Sequence, residues 1–139
     1  MFLLDTVIIS ELRKRQADEA VVRWVSQQEG DQLYLSVVTL GEIERGIAKR
    51  RSGDPKFADE LEAWLEGLTR LYADRILPVT SGVARRWGRL TAQLGHESAD
   101  LLIAATALTH GLTVVTRNTT HFAPTGVRLV NPFAPQAQK

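Results

Sequence analysis

Short apolar runs alternating with helix-period segments constrain this chain most, because a chain patterned this way must cross over a sheet between successive strands. Five strand-like runs stand out: Phe2–Leu4, Leu33–Ser36, Arg75–Pro78, Thr113–Thr116 and Val127–Val130. They are short and aliphatic or β-branched. Between them lie amphipathic segments. Thr6 through Arg15 and Asp18 through Gln28 read as the first two helices, the second stopped at Gly30. Thr39 opens a third, with Leu40, Ile43 and Ile47 at helical spacing and Lys49, Arg50 and Arg51 in the last turn, where cations suit the helix dipole. Ser52-Gly53-Asp54-Pro55 is the clearest break, with Asp54 as cap and Pro55 as first residue of a fourth helix reaching Tyr72. Ser81 caps a fifth that Gly95 ends, and Ser98 a sixth that runs to His110 before Gly111. Strands alternating with helices predict an α/β protein, a parallel sheet with helices on both faces.

At 139 residues the chain is expected to form one domain, residues 1–133, followed by a disordered tail, 134–139. Lys and Arg (17) nearly balance Asp and Glu (16), so net charge announces no nucleic-acid binder and local clusters have to be weighed instead. With no cysteine there is no disulfide scaffold, no thiolate nucleophile and no cysteine zinc site, which suits the cytoplasm. No run approaches the ~20 apolar residues of a membrane span. The opening segment carries Asp5 and Glu11 and has no basic stretch ahead of it, so no secretory signal and no membrane association are expected.

Most acidic residues fall on outward helical faces, but three lie where the chain leaves the sheet. Asp5 follows the first strand, Glu42 lies one turn into the helix after the second, and Asp100 lies in the first turn of the helix that feeds the fourth. In open α/β sheets, sites gather outside the carboxyl ends of the strands. Each acid also has a plainer reading: Asp5 as a helix cap, Glu42 and Asp100 as early-helix charges favoured by the dipole. If the three converge, their repulsion calls for a cation. An all-oxygen set selects Mg²⁺, with Mn²⁺ as the alternative, over zinc. Such an ion lowers the pKa of bound water and offsets charge on a phosphate oxygen, which points to phosphodiester hydrolysis. Cationic clusters for a nucleic-acid backbone exist at Arg13-Lys14-Arg15, Lys49-Arg50-Arg51 and Arg85-Arg86 with Arg89, though each also reads as a solvated face. Other strand-end aspartate chemistries fit poorly. A haloacid-dehalogenase-type site needs a second Asp where Val7 stands, a receiver needs an acid in Leu77-Pro78-Val79-Thr80, and no Gly-x-Ser-x-Gly elbow is present.

Four ordered stretches resemble the PIN-domain family, specifically the VapC and FitB-like toxins of bacterial toxin–antitoxin pairs. LLDTVIISELRK resembles the strand-one motif and LSVVTLGEIERGI the segment with the family's glutamate. ADLLIAATALTHGLTVVTRNTTHF resembles the third-acid helix, the fourth strand and its loop, and VNPF the usual ending. The resemblance implies a three-layer α/β/α fold and a Mg²⁺- or Mn²⁺-dependent endoribonuclease. It also implies a homodimer bound by a small VapB-like antitoxin along Val38 to Leu71, with operator DNA reached only through that complex. By position, Asp5, Glu42, Asp100 and Asn118 match the catalytic set, Asp5 and Asp100 the metal ligands, and Thr6 the supporting hydroxyl. Val7 stands where relatives carry Asn, and His121 where they carry an acid before Phe122. The resemblance with these departures implies one metal site rather than two. A second reading is a catalytically weakened module of the same fold that binds antitoxin or RNA without efficient cleavage.

Overall fold

The structure, a computed structural model, describes residues 1–135. Of the expected tail, Ala134 and Pro135 are exposed, and residues 136–139 lie outside the described residues. Five parallel strands run in the order β3-β2-β1-β4-β5: β1 (Phe2–Leu4), β2 (Leu33–Ser36), β3 (Ile76–Leu77), β4 (Thr113–Val115) and β5 (Leu129–Val130). The third and fifth are shorter at their ends than the sequence pattern implies. Register explains the apolar runs. Phe2 pairs with Leu33 and Leu4 with Val115 toward one face, while Leu3 pairs with Tyr34 and Val114 toward the other.

Each face is covered by its own set of helices. Against the Leu4 and Val115 face lie α1 (Thr6–Arg13), α2 (Glu19–Ser26), α3 (Val37–Arg51) and α4 (Pro55–Leu71), contributing Ile8, Val21, Ile43, Ile47, Leu61 and Leu65. Against the Leu3 and Val114 face lie α5 (Ser81–Leu94), α6 (Ala99–His110) and the short α7 (Thr119–Phe122), contributing Val83, Ile103, Ala104 and Phe122. The result is the expected three-layer α/β/α sandwich. Ile8, Leu3 and Leu4 are fully buried, and each such side chain stabilises the fold by about 2 kcal/mol. Phe133 closes the first core from the C-terminal side, with the Arg117 guanidinium 4.3 Å from its ring centroid.

Several helix boundaries differ from the sequence reading, each for a local reason. The helix α3 starts two residues before Thr39, because Ser36 caps it with its hydroxyl accepting from Val38 N at 3.0 Å. Glu42 therefore sits in the second turn. Thr80, not Ser81, caps α5, accepting from Val83 N at 3.2 Å. Gly30 does not stop α2, which ends at Ser26; it opens a 3₁₀ turn leading into β2. Asp54 does cap α4, and Gly95 and Gly111 end α5 and α6 with φ of +77° and +68°, a conformation that costs any residue with a Cβ.

From β1 the chain moves outward to β2 and β3, then returns past β1 to lay down β4 and β5. Strand order reverses between β1 and β4. That is where a crevice opens at the carboxyl end of such a sheet.

Candidate active site

Asp5 is the first residue past β1 and Thr116 the first past β4, so the reversal point sets them side by side. Their backbones remain tied to the sheet, Asp5 N donating to Val115 O at 3.0 Å and Thr116 N to Val130 O at 2.9 Å. The Asp5 side chain is almost wholly buried, at 3 % exposure, and both its oxygens are held. Oδ1 accepts from Thr6 N at 2.8 Å, which is the helix-cap role, and Oδ2 accepts from Thr116 Oγ1 at 2.8 Å. The cap reading of Asp5 holds. Burial raises the Asp5 carboxyl from its ordinary 3.8 to about 6; the charges of Asp100 and Glu42 add to the rise, and the bonds from Thr116 and Thr6 oppose it.

Glu42 is brought in by its own hydrogen bond. Thr6 Oγ1 donates to Glu42 Oε1 at 2.5 Å, and Thr6 Oγ1 lies 3.0 Å from the buried Thr39 Oγ1 one turn earlier on α3. One hydroxyl proton serves one acceptor; given to the carboxylate, it leaves Thr39 to donate its own. Thr6 therefore bonds Glu42 through its side chain and Asp5 through its backbone. Asp100, in the first turn of α6, is half-buried and has His121 Nδ1 3.4 Å from its Oδ2. Asn118 stands differently. Its side chain is exposed and makes no capping bond to α7, and it joins the cluster through its backbone, N donating to Thr116 Oγ1 at 2.9 Å.

Glu42 and Asp100, but not the buried Asp5, line a cleft of about 820 Å³ between α3 and the start of α6, together with Arg45, His96, Glu97, Ser98 and His121. A second hollow of about 260 Å³, between α1, α3 and α4, shares Glu42 and adds Thr6, Ser10, Arg13, Arg50 and Trp64. Arg13 and Arg50 both lie over the Phe57 ring, at 5.5 and 5.0 Å from its centroid. Val7, one residue past Thr6, packs against the α1–α4 core.

Among the described residues, no three histidine, aspartate or glutamate side chains stand close enough to cage an ion by themselves. Thr116 and Thr39 were the residues sequence reasoning missed. Thr116 carried a usable signal, a hydroxyl directly after a buried strand at the same sheet edge as Asp5.

A doubly wound parallel sheet with carboxylates gathered at its reversal point defines a class of α/β proteins built for cation and phosphate chemistry. Residues 2–125 match the PIN domain, and the chain belongs to the PIN-domain family. It is similar to VapC ribonuclease Y4jK of Sinorhizobium fredii, with 39% identity over 142 residues covering 97% of this chain and 99% of the relative. It is similar also to toxin FitB of Neisseria gonorrhoeae, 37% identical over 96% of this chain and 99% of that one. The crystal structure of FitAcB from Neisseria gonorrhoeae superposes with a TM-score of 0.83 at 38% identity, over 95% of this chain and 98% of that chain.

Proposed function

We propose that this protein is the toxin of a toxin–antitoxin pair and acts as a metal-dependent endoribonuclease. The observation that carries this reading is Asp5, buried at the reversal point, fixed at both oxygens and raised to about 6 by burial and by Asp100 and Glu42. Similarity to a ribonuclease and to a toxin over nearly the whole chain supports it. The domain is taken as residues 1–133, since Phe133 still packs into the core.

Asp5 and Asp100 are the residues that would hold one Mg²⁺ or Mn²⁺. Bound there, the ion supplies a water of lowered pKa and charge to offset that on the phosphate. The chain's own groups do the rest. Thr116 and Thr6 N fix the Asp5 carboxylate so that little reorganisation is needed when charge shifts. Glu42, anchored at Oε1 by Thr6, keeps Oε2 without a hydrogen-bond partner among the described residues, and in this reading that atom takes the proton of the attacking water. Asn118 orders the loop over Thr116 through its backbone and presents its amide to solvent at the rim.

The partner is a VapB-like antitoxin that lays a segment into the α1–α3–α4 hollow and brings an Arg or Lys to Glu42, replacing the ion's charge with a side chain's. The protein is taken to work as a cytoplasmic homodimer, meeting operator DNA only through the antitoxin complex. No helix of the described residues is long and apolar enough to cross a membrane.

The test is RNA cleavage with Mn²⁺ by the wild type, Asp5→Ala and Asp100→Ala, with and without co-purified antitoxin. Cleavage should be confined to the wild type and abolished by antitoxin. Equal cleavage by all three proteins refutes the assignment.

A further inference from the structure

Two hollows open from the carboxylates, and they are not equivalent in the cations they offer. In the smaller one, Arg13 and Arg50 are both engaged on Phe57. Nearby Arg51 is spent on Asp59 and Glu62, at 2.8 and 2.7 Å. The larger cleft has Arg45 on its wall, exposed and without a hydrogen bond or ion pair among the described residues.

Arg45 lies three residues beyond Glu42 on α3, a spacing at which a glutamate and an arginine ordinarily pair. Here they do not: Glu42 Oε1 takes a hydrogen bond from Thr6, and Arg45 makes none to either oxygen. The guanidinium is left to the cleft it lines. His96 lines the same cleft and accepts from Ser98 N at Nδ1, 3.4 Å, which leaves its Nε2–H as a donor. A planar fork of donors and a second N–H lining one cleft, beside acids that would bind the cation, form a receptor for a phosphate next to the one being cut.

We propose that Arg45, with His96 Nε2 lining the same cleft, binds a backbone phosphate flanking the scissile one, so that the RNA strand runs through the α3–α6 cleft rather than the α1–α3–α4 hollow. The proposal rests on the ribonuclease reading, and its test separates the two. Binding of a labelled single-stranded RNA to the Asp5→Ala protein is followed by anisotropy over a salt series. Loss of one phosphate contact lowers the slope of log K against log salt by about 0.7. Arg45→Gln should show that loss together with about tenfold weaker binding, Arg45→Lys should keep the slope, and Arg23→Gln on α2 should match the parent. In the protein with Asp5 intact, Arg45→Gln should raise KM by a similar factor with kcat within about twofold.

An unchanged slope in Arg45→Gln overturns the proposal while leaving wild-type cleavage, and with it the ribonuclease reading, standing. Failure of the wild type to cleave strikes that reading, and the slope still decides the phosphate contact. Single-stranded DNA of the same sequence should show the same difference; a loss confined to RNA refutes contact through phosphate.

Discussion

Asp5→Asn should stabilise this protein while abolishing its activity, and the pH dependence of the gain identifies the cause. A carboxyl raised from 3.8 to about 6 binds its proton more tightly folded than unfolded. Below about pH 3 both states are protonated and the residue contributes nothing. Between the two values the unfolded chain ionises first, so stability falls as pH rises, reaching a cost of about 3 kcal/mol above pH 6. Asparagine removes that cost. Its Oδ1 still accepts from Thr6 N, and its amide donates to Thr116 Oγ1 where the carboxylate accepted, at a loss of up to about 1 kcal/mol. The net gain should be about 2 kcal/mol at neutral pH, or roughly 6–8 °C in Tm for a domain of this size. Urea unfolding of both proteins from about pH 4 to pH 8 in chelator gives the difference directly. The two curves should meet near pH 4 and separate by pH 7. Added Mg²⁺ should stabilise the wild type and leave Asp5→Asn unmoved, since only an ion that binds the native state shifts the balance. A difference independent of pH, or a less stable Asp5→Asn at pH 8, refutes the argument that burial and like charge hold the carboxyl up.

Thr116→Val removes the hydroxyl that holds Asp5 Oδ2 and accepts from Asn118 N, costing about 2 kcal/mol in unfolding. It should also move the acid limb of the pH–rate profile upward, because that bond lowers the Asp5 pKa; Thr116→Ser should restore both. Glu11 gives the opposite sign: it accepts from Asp18 N at 2.9 Å and from Lys14 Nζ at 3.0 Å, which hold its carboxyl below the usual 4.5. Its contribution is present above the unfolded pKa and lost as pH falls through the folded one. Glu11→Ala should therefore cost about 1–2 kcal/mol at pH 7 and progressively less in acid, measured by urea unfolding. Calorimetric titration with Mn²⁺ should find one site per subunit, lost in both Asp5→Ala and Asp100→Ala; two tight sites contradict the assignment of the metal to Asp5 and Asp100.

What could be read from the sequence was what depends on neighbours in the chain. The period of Leu61, Leu65 and Leu68 marks α4, and Asp54-Pro55 marks its start, because caps and stripes are local. Asp5, Glu42 and Asp100 could be placed at one sheet edge because a parallel sheet forces every crossover to leave from it. The misplaced start of α3 has a physical origin: Ser36-Val37-Val38-Thr39 is β-branched and reads as more strand, and only the Ser36 hydroxyl turning back to Val38 N sets the boundary. The four-residue α7 is too short to show a period. Thr116 bonds a residue 111 positions away, so its part in the site exists only once β1 and β4 are paired. The exposure of Asn118 and the unpaired state of Arg45 likewise depend on what Thr116 and Thr6 do, not on their own identities.

Neutral donors, rather than cations, hold Asp5 and Glu42, and in the proposed reading that ties inhibition to catalysis. Asp5 and Glu42 receive their hydrogen bonds from Thr6 N, Thr6 Oγ1 and Thr116 Oγ1, all neutral donors. These bonds orient the carboxylates without cancelling their charge, so the cancelling charge has to arrive from outside. In the proposed reading a divalent ion and an antitoxin's Arg or Lys would compete for that electrostatic role, and linkage would then require each to weaken the other by the same factor. Antitoxin affinity should fall as Mg²⁺ is raised, by about tenfold where the ion occupies nine-tenths or more of the sites. In the Asp5→Asn, Asp100→Asn double variant the ion has nothing to hold and the dependence should vanish. Calorimetry of antitoxin binding at low and high Mg²⁺ measures it. Affinity independent of Mg²⁺ in the wild type would show that the antitoxin does not use these carboxylates, and that it inhibits by covering the α1–α3–α4 hollow alone.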